Sequence, residues 1–207
     1  MHLEALTGDL ARDIFLRLNN FDGYYLAGGT ALALQIGHRQ SVDFDLFSER
    51  AVPKQLLSKA SEVFADKKIA VSVNNSDELT LFIDDLKTIF LRYPFPVLED
   101  LVAYKGLKFL GVREIAATKA YTIGRRGAYR DYLDLYFVMA GGFMALDDLI
   151  HLAGKKYGNG FNARLFLEQL LYLDDIEDTE IALLKKPNLN KRDLSSFFAS
   201  EIKNIKL

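Results

Sequence analysis

The segment from Tyr25 to Phe47, YLAGGTALALQIGHRQSVDFDLF, constrains the fold more tightly than any other part of the chain. Tyr24 to Ala27 reads as a short strand and Gly28-Gly29 as a turn. Thr30 is placed to cap a helix carrying Leu32, Leu34 and Ile36. After a loop at Gly37-His38-Arg39-Gln40, Ser41 to Phe47 alternates polar and apolar residues, the mark of a second strand. The two glycines let backbone N–H groups approach an anion closely, and the positive end of the helix points at the same spot. On the second strand alternate side chains share a face, so Asp43 and Asp45 point one way, their Cα atoms roughly 7 Å apart. Val42, Phe44 and Leu46 are then expected to point into the core. Like charges on one face repel, and Asp is disfavoured in strands, so a partner cation relieves a real cost. Mg²⁺ suits such a pair, since it takes one or two carboxylates together with phosphate oxygens and water. Taken singly, each half has a plain structural explanation: a tight turn before a capped helix, and two solvated acids on a strand. Together they point to a triphosphate and Mg²⁺. The chain carries neither G-x-x-x-x-G-K-[ST] nor G-x-G-x-x-G, so the other common phosphate loops do not apply.

The flanking sequence supplies a small α/β unit and then helices. Leu10, Ile14 and Leu18 predict an opening helix from about Thr7 to the Asn19-Asn20 stop. Pro53 suits the first position of a helix carrying Leu56, Leu57, Ala60, Val63 and Phe64. Ile69 to Val73, Leu79 to Ile83 and Thr88 to Tyr93 read as an antiparallel meander, with turns at Asn74–Asp77 and Asp84-Asp85. Beyond Gly111 the periodicity predicts helices over 112–123, 130–140, 145–157, 162–173 and 191–205. The expected class is α+β: a mixed sheet flanked by helices over residues 1–111, then a helical lobe over 112–207.

Composition narrows the function classes. Half of the 207 residues are hydrophobic, with 15 Phe and 10 Tyr, enough to build a core and too many for a disordered chain. A net charge of -2 argues against a broad nucleic-acid surface, so contact with nucleic acid is expected to be local. The absence of cysteine excludes disulfides, thiolate metal sites and cysteine catalysis. The N-terminus does not read as a signal peptide. The longest apolar run, Leu135 to Leu146, falls short of the roughly 20 residues a membrane span needs, so no membrane association is expected and a cytoplasmic location is.

GG[ST], a helix, and a strand bearing D-x-D resemble the nucleotidyltransferase superfamily related to polymerase β. The fuller string GGTALALQIGHRQSVDFDLF is similar to its AbiEii-type branch, known from bacterial toxin–antitoxin and abortive-infection systems. YPFPVLED, the lysine of EIAATKAYTIGRRG, and RDYLDLYFV extend the resemblance over most of residues 24–140. The resemblance implies an enzyme in which Asp43 and Asp45 hold Mg²⁺ and Gly28, Gly29 and Thr30 cradle the phosphates of an NTP. An acceptor oxygen on RNA (tRNA) or protein attacks the α-phosphate, and pyrophosphate leaves. Lys119 matches the lysine that meets the triphosphate, with an ordinary surface lysine as the alternative. Asp131 matches a cleft-facing acid acting as base or orienter. Asp131 and Asp134 share a helix face, and Arg130–Asp134 has the spacing of an i, i+4 pair. Arg39 is a candidate contact for a phosphate or for the acidic pair, and Arg125 and Arg126 for phosphate or an RNA backbone, while His38 is expected only to pack or cap its loop. Many superfamily members carry a third acid on a later strand; the Tyr93-Pro94 anchor puts Ile89 at that place, with Asp84 and Asp85 left in a turn. The resemblance implies the toxin of a toxin–antitoxin pair; the alternative is a catalytically impaired nucleotide-binding protein of the same fold.

Overall fold

A computed structural model describes residues 1–173, 175–177, 179–186 and 188–205. They divide into two units, Met1–Leu110 and Gly111–Leu207. The first is organised by a seven-stranded mixed sheet. Its strands are β1 (Tyr25–Ala27), β2 (Phe44–Ser48), β3 (Ile69–Asn74), β4 (Glu78–Ile83), β5 (Leu86–Arg92), β6 (Val102–Tyr104) and β7 (Leu107–Phe109), in the spatial order β3-β4-β5-β2-β1-β7-β6. The β2–β5 and β1–β7 pairs are parallel and the rest antiparallel.

β2 is the middle strand, flanked by β1 and β5, so the D-x-D sequence enters the sheet at its centre. Phe44 and Leu46 are fully buried there. Phe44 packs near Phe15 of α1 (Gly8–Arg17), which also meets Phe109 at 6.1 Å between ring centroids. Burying one such side chain is worth about 1.5–3 kcal/mol, which holds the strand in this register, because a one-residue slip would turn Phe44 and Leu46 to the opposite face.

The expected meander is present as β3, β4 and β5. Asp84 and Asp85 both have positive φ, 45° and 70°, as a two-residue hairpin turn between right-twisted strands requires. A second hairpin, β6–β7, was not foreseen. Its strands have only three residues each, too short for a periodic signal, and its turn uses Lys105 and Gly106 at φ 48° and 82°. The readable clue was a glycine flanked by the alternating apolar residues Val102, Tyr104, Leu107 and Phe109.

Three local expectations need correction. Gly28 and Gly29 open α2 (Gly28–Ile36) instead of preceding it, and Thr30 is a residue within that helix, not its cap. β2 begins at Phe44, so Asp43 sits just ahead of the strand and Val42, expected in the core, is 43% exposed. The helix after Pro53 starts later, as α3 (Leu56–Val63), because Pro53 instead supplies a carbonyl to the Leu56 N–H.

The second unit contains α4 (Val112–Ile123), α5 (Tyr129–Ala140), α6 (Leu146–Tyr157), α7 (Ala163–Leu171) and α8 (Lys191–Lys203). α8 starts with a capping box between Asn190 and Asp193, and Asn162 caps α7 through the Leu165 N–H. α5 is buried from Asp131 through Met139, so its acids lie away from water. A fully buried ion pair, Glu114 to Lys156 at 2.5 Å, joins α4 to α6. Removing one partner strands a charge in the interior; replacing both with apolar residues does not. Lys156→Met should therefore cost roughly 3–5 kcal/mol in urea unfolding, while adding Glu114→Leu should recover most of that loss.

Candidate active site

The first unit builds its site where β1 runs into α2 beside the start of β2. Ala27 pairs with Asp45 across the antiparallel β1–β2 ladder, which brings the following residue, Gly28, against the Asp45 side chain. Gly28 has φ +65°, and a Cβ there would stand 2.2 Å from Asp45 Oδ2. Glycine is thus required twice, for its backbone angle and for the closeness of the carboxylate. The N-cap residue of α2 is Ala27, which gives no side-chain cap to the N–H groups at the positive end of the helix. An anion is the natural occupant of such a helix start.

Asp43 is fixed by a different route. The Thr30 hydroxyl donates to the Asp43 carbonyl. Its single proton being committed there, the Ser41 hydroxyl supplies the proton of the 2.7 Å Ser41–Thr30 bond. The Ser41 N–H in turn donates to the Ala5 carbonyl at 2.9 Å. Thr30 is buried, so its side chain holds the backbone of the D-x-D approach; it is the start of α2 that faces outward, at half-buried Gly28 and Gly29. Asp43 and Asp45 are half-buried on either side of fully buried Phe44.

The parallel β2–β5 ladder sets Ile89 directly beside Asp45. Among the described residues no three His, Cys, Asp or Glu side chains gather as a metal cage. Two carboxylates and a helix N-terminus nevertheless fit a Mg²⁺ that takes its remaining ligands from phosphate oxygens and water. Of the other candidates in this unit, Arg39 is 5% exposed and donates to the Gln40 carbonyl at 3.0 Å. His38 is fully buried, as expected of a packing residue.

In the second unit Lys119, Asp131 and Asp134 form one cluster. The Lys119 ammonium stands 2.6 Å from Asp131 Oδ1 and 2.9 Å from Asp134 Oδ2. Lys119 is buried, so it is not the ordinary surface lysine of the alternative reading. Asp134 pairs with Lys119 across helices, while Arg130, the neighbour suggested by spacing, is exposed. The neighbouring phenol, Tyr132, is pushed up to about 12 by burial and by the Asp131 charge, and donates to the Gln169 carbonyl. Arg125 and Arg126 are both exposed beyond α4. Glu114 and Lys156 are the buried charges that sequence reasoning missed. The clue was an acid and a base each falling on the apolar stripe of a helix.

The Gly28 geometry separates folding from site assembly. Gly28→Ala puts a side chain into left-handed backbone at a cost of about 1–2 kcal/mol and pushes the flexible Asp45 carboxylate aside. A modest fall in melting temperature with a large loss of Mg²⁺-dependent NTP binding is expected in calorimetry. Thr30→Val should act in the opposite proportion, costing roughly 1–3 kcal/mol by leaving two buried polar groups unmatched while the Gly28–Asp45 contact persists.

A family model described as "Nucleotidyl transferase AbiEii toxin, Type IV TA system" matches residues 10–98, which contain the glycines and both aspartates. The uncharacterized protein aq_aa25 of Aquifex aeolicus (strain VF5) is 32% identical over 157 residues, covering 75% of this chain and 76% of that protein. Among solved structures, the nucleotidyltransferase toxin MenT4 of Mycobacterium tuberculosis H37Rv superposes with a TM-score of 0.66 at 16% identity, covering 96% of this chain and 83% of that one. JHP933 of Helicobacter pylori gives 0.57 at 17% identity, covering 95% and 93%. At such identities the superpositions speak for the fold, and it is the nucleotidyltransferase fold. No helix among the described residues is long and apolar enough to cross a membrane. The sequence match and the mixed-sheet architecture agree: this chain is a nucleotidyltransferase and belongs to the AbiEii nucleotidyltransferase toxin family.

Proposed function

We propose that the protein transfers a nucleoside monophosphate from an NTP to a hydroxyl of RNA, tRNA in the first instance, or of a protein. The observation that carries this reading is the Asp45 carboxylate packed over Gly28 at the start of α2, where the N-cap residue Ala27 offers no capping side chain. Such a place brings a carboxylate-bound cation and a phosphate-binding backbone within one ligand's length. Asp43 and Asp45 are the ligands for Mg²⁺, and Gly28 and Gly29 present the N–H groups that receive phosphate oxygens; Thr30 positions Asp43 from behind. When bound, Mg²⁺ neutralises charge on the phosphates and on the departing pyrophosphate. In the helical unit, Lys119 is the proposed phosphate-directed cation, and Arg126 an exposed one. Asp131 and Asp134 orient the Lys119 ammonium, and Asp131 is the acid proposed to serve the acceptor hydroxyl. The role proposed for the protein is that of a toxin acting in the cytoplasm on NTP and tRNA, beside a separately encoded antitoxin.

Ile89 beside Asp45 supports a second reading, a nucleotide-binding protein with impaired turnover. A third carboxylate at that place would add charge to the site. Without it, metal affinity depends more heavily on the nucleotide.

The test is incubation with each α-labelled NTP, Mg²⁺, total tRNA and cell lysate. Label should pass to one acceptor class, and Asp43→Asn or Asp45→Asn should lower the rate by roughly 100-fold or more, as expected for losing a metal ligand worth several kcal/mol. Transfer that survives both substitutions would sink the assignment. NTP binding without transfer in the parent chain selects the second reading, under which Ile89→Asp should raise whatever turnover is measurable.

A further inference from the structure

The C-terminal end of α4 carries a stack that the proposed chemistry does not use. The Tyr121 ring lies on Tyr157 with centroids 3.9 Å apart and planes 17° apart. The Arg125 guanidinium lies 3.6 Å from the centroid of Tyr121. Its edges are tied down as well: Nη2 donates to the Gly160 carbonyl at 2.6 Å and Nη1 to the Tyr121 carbonyl at 3.2 Å. Arg125 is therefore a flat cation fixed in orientation, although the residue is exposed. Arg125 and Tyr121, together with Phe161 and Leu165, line a cavity of about 300 Å³. All of these residues belong to the second unit.

The form of the site selects its ligand. Arginine grips a phosphate with the fork of its terminal nitrogens, and here one N–H of each is already committed to a backbone carbonyl. The end of α4 is also the negative end of a helix, a poor neighbour for an anion. What is offered instead is a plane, two apolar side chains and a space the size of one flat ring system. Unpaired bases are held on guanidinium planes and aromatic side chains in this manner. A site for one base also fits a chain of net charge -2, which has no basic excess for holding a long nucleic-acid backbone.

We propose that this cavity receives a single unstacked nucleobase, laid against Arg125 between Phe161 and Leu165. The proposal rests on the reading of the protein as one that handles nucleotides, and names the group that the helical unit recognises. The base belongs either to a single-stranded stretch of the acceptor RNA or to the free NTP, and the two sources are separable.

The experiment measures binding of a fluorescent single-stranded RNA, its fully double-stranded form, and each Mg·NTP to the full chain, with Arg125→Lys and Gly160→Met as variants. Arg125→Lys keeps the charge and removes the plane. Gly160→Met fills the cavity from its wall: Gly160 lies outside the left-handed region, and the nearest neighbours of a Cβ there are Tyr121 at 3.6 Å and Arg125 at 3.9 Å, ordinary contacts. If Arg125→Lys fails to fold, Gly160→Met carries the test. Stacking one base makes a loss of roughly tenfold the expected result. A loss for single-stranded RNA alone assigns the cavity to a base of the strand, and a loss for NTP assigns it to the free nucleotide. Unchanged binding of both probes to folded Gly160→Met overturns the proposal. So does an equal loss for single- and double-stranded RNA, which marks a phosphate contact. Binding is read without turnover, so failure of nucleotide transfer and failure of this proposal are distinguishable.

Discussion

The first unit depends on the contact between Gly28 and Asp45. A strand must end, a helix must begin, and a carboxylate from the central strand must fit against the first helical residue. Only a residue without a Cβ satisfies this, and only with positive φ. The rest of the unit serves that meeting. Phe44 and Leu46 fix which face of β2 is buried and hence where Asp45 points, while β1 sets the register that places Ala27 opposite it. Thr30 and Ser41 tie the residue just ahead of the strand to the helix, so Asp43 is held by hydrogen bonds where the ladder does not reach.

The helical unit rests on a different constraint, the cost of charge away from water. Asp131 and Asp134 lie on a helix buried along most of its length, and each finds the same ammonium. Such an arrangement orients the lysine firmly. Glu114 and Lys156 balance one to one and tie α4 to α6. The same helix α4 thus contributes Glu114 to one buried pair, Lys119 to the cluster with Asp131 and Asp134, and, at its end, the Tyr121–Arg125 stack. A pair with both side chains fully buried reads as architecture.

Much of this was legible in the chain. The amphipathic spacing of the helices beyond Gly111 marked all five of them, since a buried stripe repeats with the helical turn whatever it packs against. The Asp84-Asp85 turn and the three-strand meander were equally local. Thr30 shows where local reading fails: a threonine after two glycines looks like a cap, yet its hydroxyl is drawn to the carbonyl of Asp43, thirteen residues on. Val42 fails for a related reason. Alternation assigns it to the core, but the strand starts two residues later, where pairing with β1 and β5 begins. The burial of Arg39 follows from a packing that the spacing does not encode.

The sequence by itself determined the nucleotidyltransferase family, the paired glycines, the D-x-D pair and the helical periodicity, because each is written in neighbouring residues and their allowed backbone angles. Tertiary structure alone decided the partners. Parallel pairing set Ile89 beside Asp45, helix packing gave Lys119 two acids and Glu114 a base 42 residues away, and the turn at Gly160 supplied the carbonyl that holds Arg125 flat. The physical reason is that a buried charge or hydrogen-bonding group must be satisfied by whatever the fold brings within about 3 Å, and chain separation says little about which group that will be.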